Sequence, residues 1–455
     1  MSEERKKVRT DFTQGNMGPL FIKFVIPFLL ANILNSVYNA VDMIIIGRYV
    51  GATGTAAVAT GGKLLTAFTS FCMGLAGGGQ IYISQLLGGG QREKVNRAIG
   101  TLFSVLGIIS VILTLSVCGL SKNIITWLNV KPEYYDGALS YLVITAIGFP
   151  LMFGYNSISS VLRGMGDSKH PLLFIAIAAF SNLILDIVFV AGFGMGEKGV
   201  ALATVMGQGI SLLLEIRLLY KNRQEFGFDF KPTSFLIEKD AAKIMLRLGI
   251  PVAARNLLVT GMQVVMAGFV NKFGTVDTAA FGIGTKLTSF ATIVSSSCTQ
   301  AGGAVVAQNL GAEKPERVKK LMGIMLSLTE GFAVLAAIVA LLWPNAIFGL
   351  FTTEAAVMVF AKPITRMVII TLFLAGLSSG FASVAVGSGA AGLSLLAGIM
   401  DGVVFRVSLS FLFGYYFKMG MLGFFLGDVL ARVAYVAVNG AYYFSGKWKT
   451  RKLIK

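Results

Sequence analysis

Long apolar runs separated by short polar segments repeat from one end of the chain to the other. A membrane-spanning helix needs about 20 mainly apolar residues. Twelve such runs predict helices over 18–46, 56–87, 96–118, 136–161, 170–192, 198–220, 242–270, 278–309, 317–341, 357–386, 389–413 and 420–444. The one long polar insert, Lys221 to Asp240, lies between the sixth and seventh runs and contains Asn222, Arg223, Gln224, Glu225 and Pro232. It reads as a linker between halves. The expected organisation is an N-terminal segment 1–17, an N-lobe 18–220 (helices 1–6), a linker 221–241, a C-lobe 242–446 (helices 7–12) and a basic tail 447–455.

The halves are related. Sliding Gly51–Gly100 onto Gly274–Gly323, a shift of 223, gives fifteen identities in fifty positions without a gap. Among them are Thr55-Ala56-Ala57 on Thr278-Ala279-Ala280, Lys63-Leu64 on Lys286-Leu287, and Gln85-x-Leu87-Gly88 on Gln308-x-Leu310-Gly311. The same shift sets Gly164 and Gly166 on Gly387 and Gly389, and one residue more sets Pro27 and Asn32 on Pro251 and Asn256. Each half holds an even number of spans, so both enter the membrane from the same side as parallel repeats. The predicted fold is an all-α integral membrane protein of twelve transmembrane helices, two parallel six-helix repeats around a central cleft.

Composition and charge agree with this and narrow the function. The 455 residues are 55% hydrophobic and 13% charged, against roughly a quarter charged in soluble domains. The net charge of +17 does not mark nucleic acid, because Lys and Arg cluster in short segments between apolar runs. With the N-terminus in the cytoplasm, 26 of the 39 basic residues fall on its side and eight on the other, which places both termini inside. The tail from Lys447 to Lys455 would hold the last helix at the anionic inner leaflet of the plasma (inner) membrane. Cys72, Cys118 and Cys298 are odd in number and inside apolar runs, and His170 is the single histidine. A disulfide framework, a thiolate or histidine metal site and a Ser-His catalytic pair are therefore excluded. No cofactor is expected, and the glycine runs Gly77-Gly78-Gly79 and Gly88-Gly89-Gly90 lack the Lys-Ser/Thr ending of a phosphate loop.

An ionisable side chain inside a membrane span is costly and marks an ion path or a paired site. Asp42 sits late in the first helix, and Asp186 lies deep in the fifth, one turn after Asn182, so that Asn182 and Asp186 share a face. Two carboxylates and an amide oxygen could then converge as a sodium site at Asp42, Asn182 and Asp186, or as a proton site. The structural alternative has Asp42 capping its helix near the headgroups and Asp186 hydrogen-bonding inside the bundle. Asn35, Tyr38 and Asn39 of helix one, Asn156 of helix four and Arg255 offer polar groups to an apolar substrate cleft. In the second half the counterparts of the two aspartates fall close to Met266 and Leu409, so both carboxylates are lost, and Glu330, Asp401, Arg406, Asp428 and Arg432 stand elsewhere. Asp401 with Arg406, or Asp428 with Arg432, are expected as self-neutralising pairs within one helix, while Arg255 has no evident partner.

Several stretches carry a resemblance: Tyr38-Asn39-Ala40-Val41-Asp42 ahead of Gly47, Gln85-Leu86-Leu87-Gly88, Leu162-Arg163-Gly164-Met165-Gly166-Asp167 before Pro171, and Asn182-Leu183-Ile184-Leu185-Asp186. At these spacings the chain resembles the multidrug and toxic compound extrusion (MATE) family from Gly18 to about Phe444, and looks closer to its DinF-like branch than to eukaryotic members. The resemblance implies that Asp42, Asn182, Asp186 and Thr204 are the cation-coupling residues of the N-lobe. It implies secondary antiport: Na+ or H+ moving inward drives export of organic, often cationic, amphipathic compounds by alternating access. A monomer is expected, since the internal repeat already supplies both lobes. A lipid-linked precursor flippase of the same superfamily is the alternative, and it would need more cleft cations than Arg255 and Arg406. A membrane-embedded enzyme is the distant one, with no nucleophile or metal set to serve it.

Overall fold

The computed structural model describes residues 10–451, so the first nine residues and the last four lie outside the described residues. Among the described residues there are helices and turns and no strand. Two compact units emerge, one built from Ile26–Ala253 and the other from Phe12–Val25 with the chain from Ala254 onward. The first contains most of α1 (Met17–Tyr49), then α2 (Gly51–Gly88), α3 (Arg92–Trp127), α4 (Tyr135–Ile147), α5 (Phe149–Gly164), α6 (Lys169–Asp186), α7 (Gly196–Lys221), a single turn α8 (Arg223–Phe226) and the first half of α9 (Lys239–Val270). The second contains the remainder of α9, then α10 (Thr275–Ala291), α11 (Ile293–Gly311), α12 (Pro315–Leu342), the short α13 (Pro344–Gly349) and α14 (Ala355–Met358), α15 (Ala361–Gly387), α16 (Ala391–Ile399), α17 (Arg406–Phe411) and α18 (Gly420–Phe444).

Among the described residues ten helices are long and apolar enough to cross a membrane, and a pair bent by 51°, Pro132–Ile147 with Phe149–Gly164, supplies one more. The bend follows from Pro150, which has no N–H to give the Ala146 carbonyl four residues earlier. The Thr114 hydroxyl on α3 donates to that carbonyl instead, at 2.9 Å. The other half has Phe373 and Leu374 near the repeat-equivalent position, and there α15 runs unbroken. The remaining expected run, 278–309, is interrupted at Thr292 between α10 and α11. Thr285, Ser289 and Thr292 each donate to a carbonyl one turn back, an arrangement that competes with the helix ladder and bends it.

The glycines that repeat are required by the backbone. A Cβ on Gly164 would stand 2.8 Å from the Gln80 carbonyl oxygen, and one on Gly387 would stand 2.6 Å from that of Gly303, the same contact made in each unit. Gly166 and Gly389 both adopt positive φ, +86° and +77°, where any Cβ is strained. Outward-facing Leu115, Phe180, Leu213 and Leu335 are each about two-thirds exposed, an apolar surface that lipid covers.

The polar insert is packed along α3. Phe226 and Phe228 are fully buried, Ser104 donates to the Phe235 carbonyl at 2.5 Å, and the Glu238 N–H donates to Thr101 Oγ1 at 3.1 Å. Within the turn, the Ser234 hydroxyl and then the Lys231 N–H hold the Asp229 carboxyl below its usual range. The segment before α1 is held in the same way in the other unit, where Phe12 N–H donates to Gln308 Oε1 and Arg317 donates to the carbonyls of Phe12, Gln14 and Gly15. Gly100 is where the insert lies closest, since a Cβ there would sit 1.7 Å from the Ser234 carbonyl oxygen. Gly100→Val is expected to lift the insert from α3 and to speed tryptic cleavage at Arg223 by at least about tenfold. Cleavage at the wild-type rate would contradict the packing.

Candidate functional site

The residues expected to couple cations meet inside the first unit. Asp42 on α1, Asn182 and Asp186 on α6 and Thr204 on α7 are all buried, Asp186 completely. The α6 pair is buried on one side of that helix, as its i, i+4 spacing requires. Asn182 Nδ2 donates to Thr204 Oγ1 at 3.4 Å, Tyr38 Oη donates to the same oxygen at 3.2 Å, and the Thr204 hydroxyl donates to the Val200 carbonyl at 2.9 Å. The Asp42 carboxyl neighbours Asp186 and Tyr38. Around the cluster, Ile45, Val58, Val190, Val200 and Ala201 form an apolar shell that keeps bulk water away. Directly after Asp186 the helix widens into a π segment, Ile187–Gly192. Its counterpart in the second unit is Leu412–Tyr416, so the widening belongs to the repeat and not to the carboxylate.

Thr204 has both lone pairs and its proton engaged, so its role here is positional. By accepting the Asn182 amide N–H, it turns Asn182 Oδ1 away from itself. Four buried oxygens are then left without a donor: Asp42 Oδ1, Asn182 Oδ1 and both carboxylate oxygens of Asp186. Buried acceptors without partners are rare and expensive. A hard cation takes oxygen ligands of this kind, and a proton shared between two close carboxyls answers the same need. The residues present therefore fit either cation.

The other expected residues are spread more widely. Asn35 and Asn39 are exposed on α1, one turn apart, whereas Tyr38 belongs to the buried cluster. Asn156 turns back to the Met152 carbonyl at 2.8 Å. Arg255, in the second unit, has partners after all: it donates to Tyr435 Oη at 2.6 Å and to Asn256 Oδ1 at 3.2 Å, and its guanidinium lies over the Tyr435 ring. Neither expected intrahelical pair forms alone. Arg406 is 1% exposed and binds Asp401 Oδ1 at 3.3 Å together with Asp428 Oδ1 on α18. Residues five apart face different sides of an α-helix, but Met400–Phe405 is a π segment, and its wider turn brings Asp401 under Arg406. Asp428 is thereby taken, and Arg432 Nε is buried without a partner.

Two residues of the first unit escaped sequence reasoning. Tyr141 on α4 is 4% exposed and neighbours Thr204; a Cβ on Gly61 would stand 2.3 Å from its ring. Its only signal was a tyrosine in an apolar run. Glu215 on α7 is fully buried, accepts from the Ser159 hydroxyl at 2.7 Å and leaves Oε2 without a partner. It lies about 16 Å along α7 from Thr204, at 1.5 Å per residue. A glutamate within a predicted span was the available sign.

The comparison with known proteins follows the same repeat. The MatE family model matches the chain twice, over residues 27–188 and again over 251–412. The chain belongs to the MatE family. The probable multidrug resistance protein YoeA of Bacillus subtilis is 27% identical over 95% of this chain and 94% of its own length. The multidrug export protein MepA of Staphylococcus saprophyticus is 21% identical over 86% of each. Among solved structures, an outward-facing multidrug resistance MATE transporter superposes with a TM-score of 0.90 at 19% identity, covering 98% of both chains. A superfamily transporter from Pyrococcus furiosus superposes at 0.89 with 19% identity and the same coverage. As a MatE protein the chain is a multi-pass membrane transporter of the multidrug efflux class and not an enzyme, and its fold is the two-lobe, twelve-helix one.

Proposed function

We propose that this MatE protein is a secondary antiporter: Na+ or H+ entering through the Asp42–Asn182–Asp186–Thr204 cluster drives export of organic, often cationic, amphipathic compounds by alternating access. The observation that carries the reading is the set of four buried oxygens without donors, contributed by two carboxylates and an amide. Such a set is stable when a cation or proton is bound and strained when it is not. Its occupancy can therefore bias the conformation of the unit that holds it. An inward gradient supplies the work, since one charge crossing 100 mV is worth about 2.3 kcal/mol. The names of the multidrug relatives support drug-like substrates, and Asn35, Asn39, Asn156 and Arg255 would face them. Both termini lie in the cytoplasm, the protein sits in the plasma membrane as a monomer, and no resident cofactor takes part. The flippase reading is weaker, because Arg406 is consumed by two aspartates and Arg255 is hydrogen-bonded to Tyr435.

The test is efflux of ethidium from proteoliposomes under an imposed Na+ or H+ gradient. One of the gradients is expected to raise the initial rate at least about tenfold over no gradient, and that gradient names the ion. No response to either would overturn antiport.

A further inference from the structure

The two matches to the MatE model are offset by 224 residues. At that offset Asn182 corresponds to Arg406 and Thr204 to Asp428, while Asp42 corresponds to Met266 and Asp186 to Ser410. The π segments at Ile187–Gly192 and Leu412–Tyr416 end on corresponding residues at that offset, while Met400–Phe405 is a second π segment where α6 is α-helical. The place that holds the donor-poor cluster in the first unit thus holds a guanidinium in the second.

The chemistry of the two places is complementary. In the first unit two carboxylates and an amide leave four oxygens without a donor. In the second, two carboxylates are again present, Asp401 and Asp428, but Arg406 donates to both from a position that is 1% exposed. Met266 is buried among Val270, Phe281, Phe424 and Phe425, so no further carboxylate reaches the spot from α9. One cluster asks for a mobile cation, and its repeat carries a tethered one.

We propose that Arg406 is a built-in counter-cation that fills, in the second unit, the place where the first unit binds its coupling cation, and that a two-carboxylate cation site is latent beneath it. This rests on the coupling role proposed above for the first unit. It follows that only one unit exchanges cations with the membrane gradient. It also follows that exchanging arginine for the asparagine of the first unit, Arg406→Asn, uncovers a second exchangeable site.

The experiment counts bound cations on purified protein: 22Na+ by equilibrium binding if the wild type binds it, otherwise protons by pH-stat. Four proteins are compared: wild type, Asp42→Asn/Asp186→Asn, the same double variant with Arg406→Asn, and the same with Arg406→Lys. The expected result is one cation per wild-type molecule, none on the double variant, one regained with Arg406→Asn and none with Arg406→Lys. A folded Arg406→Asn protein that regains no cation overturns the inference. If Arg406→Asn does not fold, Arg406→Ala is melted with and without about 10 mM ethylguanidinium. A rise in melting temperature that disappears with Asp428→Asn supports a cation site there, and no rise overturns it. The wild-type arm separates the two claims: cations bound by wild type but not regained sink this inference alone, and cations regained by Arg406→Asn but absent from wild type sink the coupling role of the first unit.

Discussion

Asp186→Asn is expected to lower gradient-driven efflux by at least about a hundredfold, the equivalent of about 2.7 kcal/mol, while raising thermal stability. The two effects have one cause. Asp186 is fully buried, and neither of its oxygens has a donor. Asparagine has nearly the same shape, so the shell of Ile45, Val190 and Val200 keeps its packing, but the charge that a cation would balance is gone. A buried carboxylate without partners costs more than a buried amide. In sodium-free buffer at pH 8 the variant should therefore melt several degrees above wild type, and, where Na+ proves to be the coupling ion, added Na+ should no longer change its melting temperature. Asp42→Asn should behave in the same direction. Thr204→Val should be milder, about tenfold, because it removes the hydrogen bonds that orient the Asn182 amide and the Tyr38 hydroxyl but leaves both carboxylates in place. A residue with a purely structural role would move stability and transport down together. That outcome, read from melting curves beside proteoliposome rates, would remove Asp186 from the coupling site.

Much of this was open to sequence reasoning, for identifiable reasons. The helices are visible because a span in lipid must be apolar for about twenty residues, and Asp42 and Asp186 stand out because so few carboxylates are tolerated there. The α6 pair is legible because i, i+4 geometry is local to one helix. The same local rule misleads in the second unit. Asp428 and Arg432 are one turn apart, yet Asp428 binds Arg406 from a different helix, and Asp401 reaches Arg406 only through a π segment that no spacing announces. Arg255 looked unpaired because Tyr435 is 180 residues away. Tyr141 was hidden because a tyrosine in an apolar run fits lipid headgroups and packed cores as well as a polar cluster. The insert before α9 read as a linker from its polarity, whereas Phe228 and Phe235 hold it to α3 through the Phe103 ring and Ser104.

Three consecutive glycines, Gly77, Gly78 and Gly79, should differ sharply when each is replaced by alanine, although they are equivalent in sequence. A Cβ on Gly78 would stand 2.4 Å from the Met245 carbonyl oxygen and 2.8 Å from the Gly249 nitrogen. On the facing helix a Cβ on Gly249 would stand 2.8 Å from the Leu75 Cα, and on Gly74 one would stand 2.5 Å from the Ala253 Cα. Gly74 and Gly78 of α2 thus cross Gly249 and Ala253 of α9 backbone to backbone, small residues four apart on each helix. Nothing at this crossing is a flexible side chain, so an added methyl must push the helices apart. Gly78→Ala is expected to cost about 3 kcal/mol, and Gly78→Leu to prevent recovery of folded protein. At Gly79 the Cβ would meet the Leu102 side chain at 2.6 Å, which can turn aside, so a loss of about 1 kcal/mol is expected. Gly77 has nothing within 4 Å, and alanine there should be neutral or stabilise by about 0.5–1 kcal/mol through helix propensity. Melting temperatures measured by fluorescence-detected size exclusion should fall in the order Gly77→Ala, Gly79→Ala, Gly78→Ala. Because α9 passes from one unit to the other at Ala253, this crossing fixes its first half to α2, and Gly78→Ala should also slow efflux in whatever protein survives. If Gly78→Ala matches Gly77→Ala in both measurements, the two helices do not approach as closely as their backbones indicate.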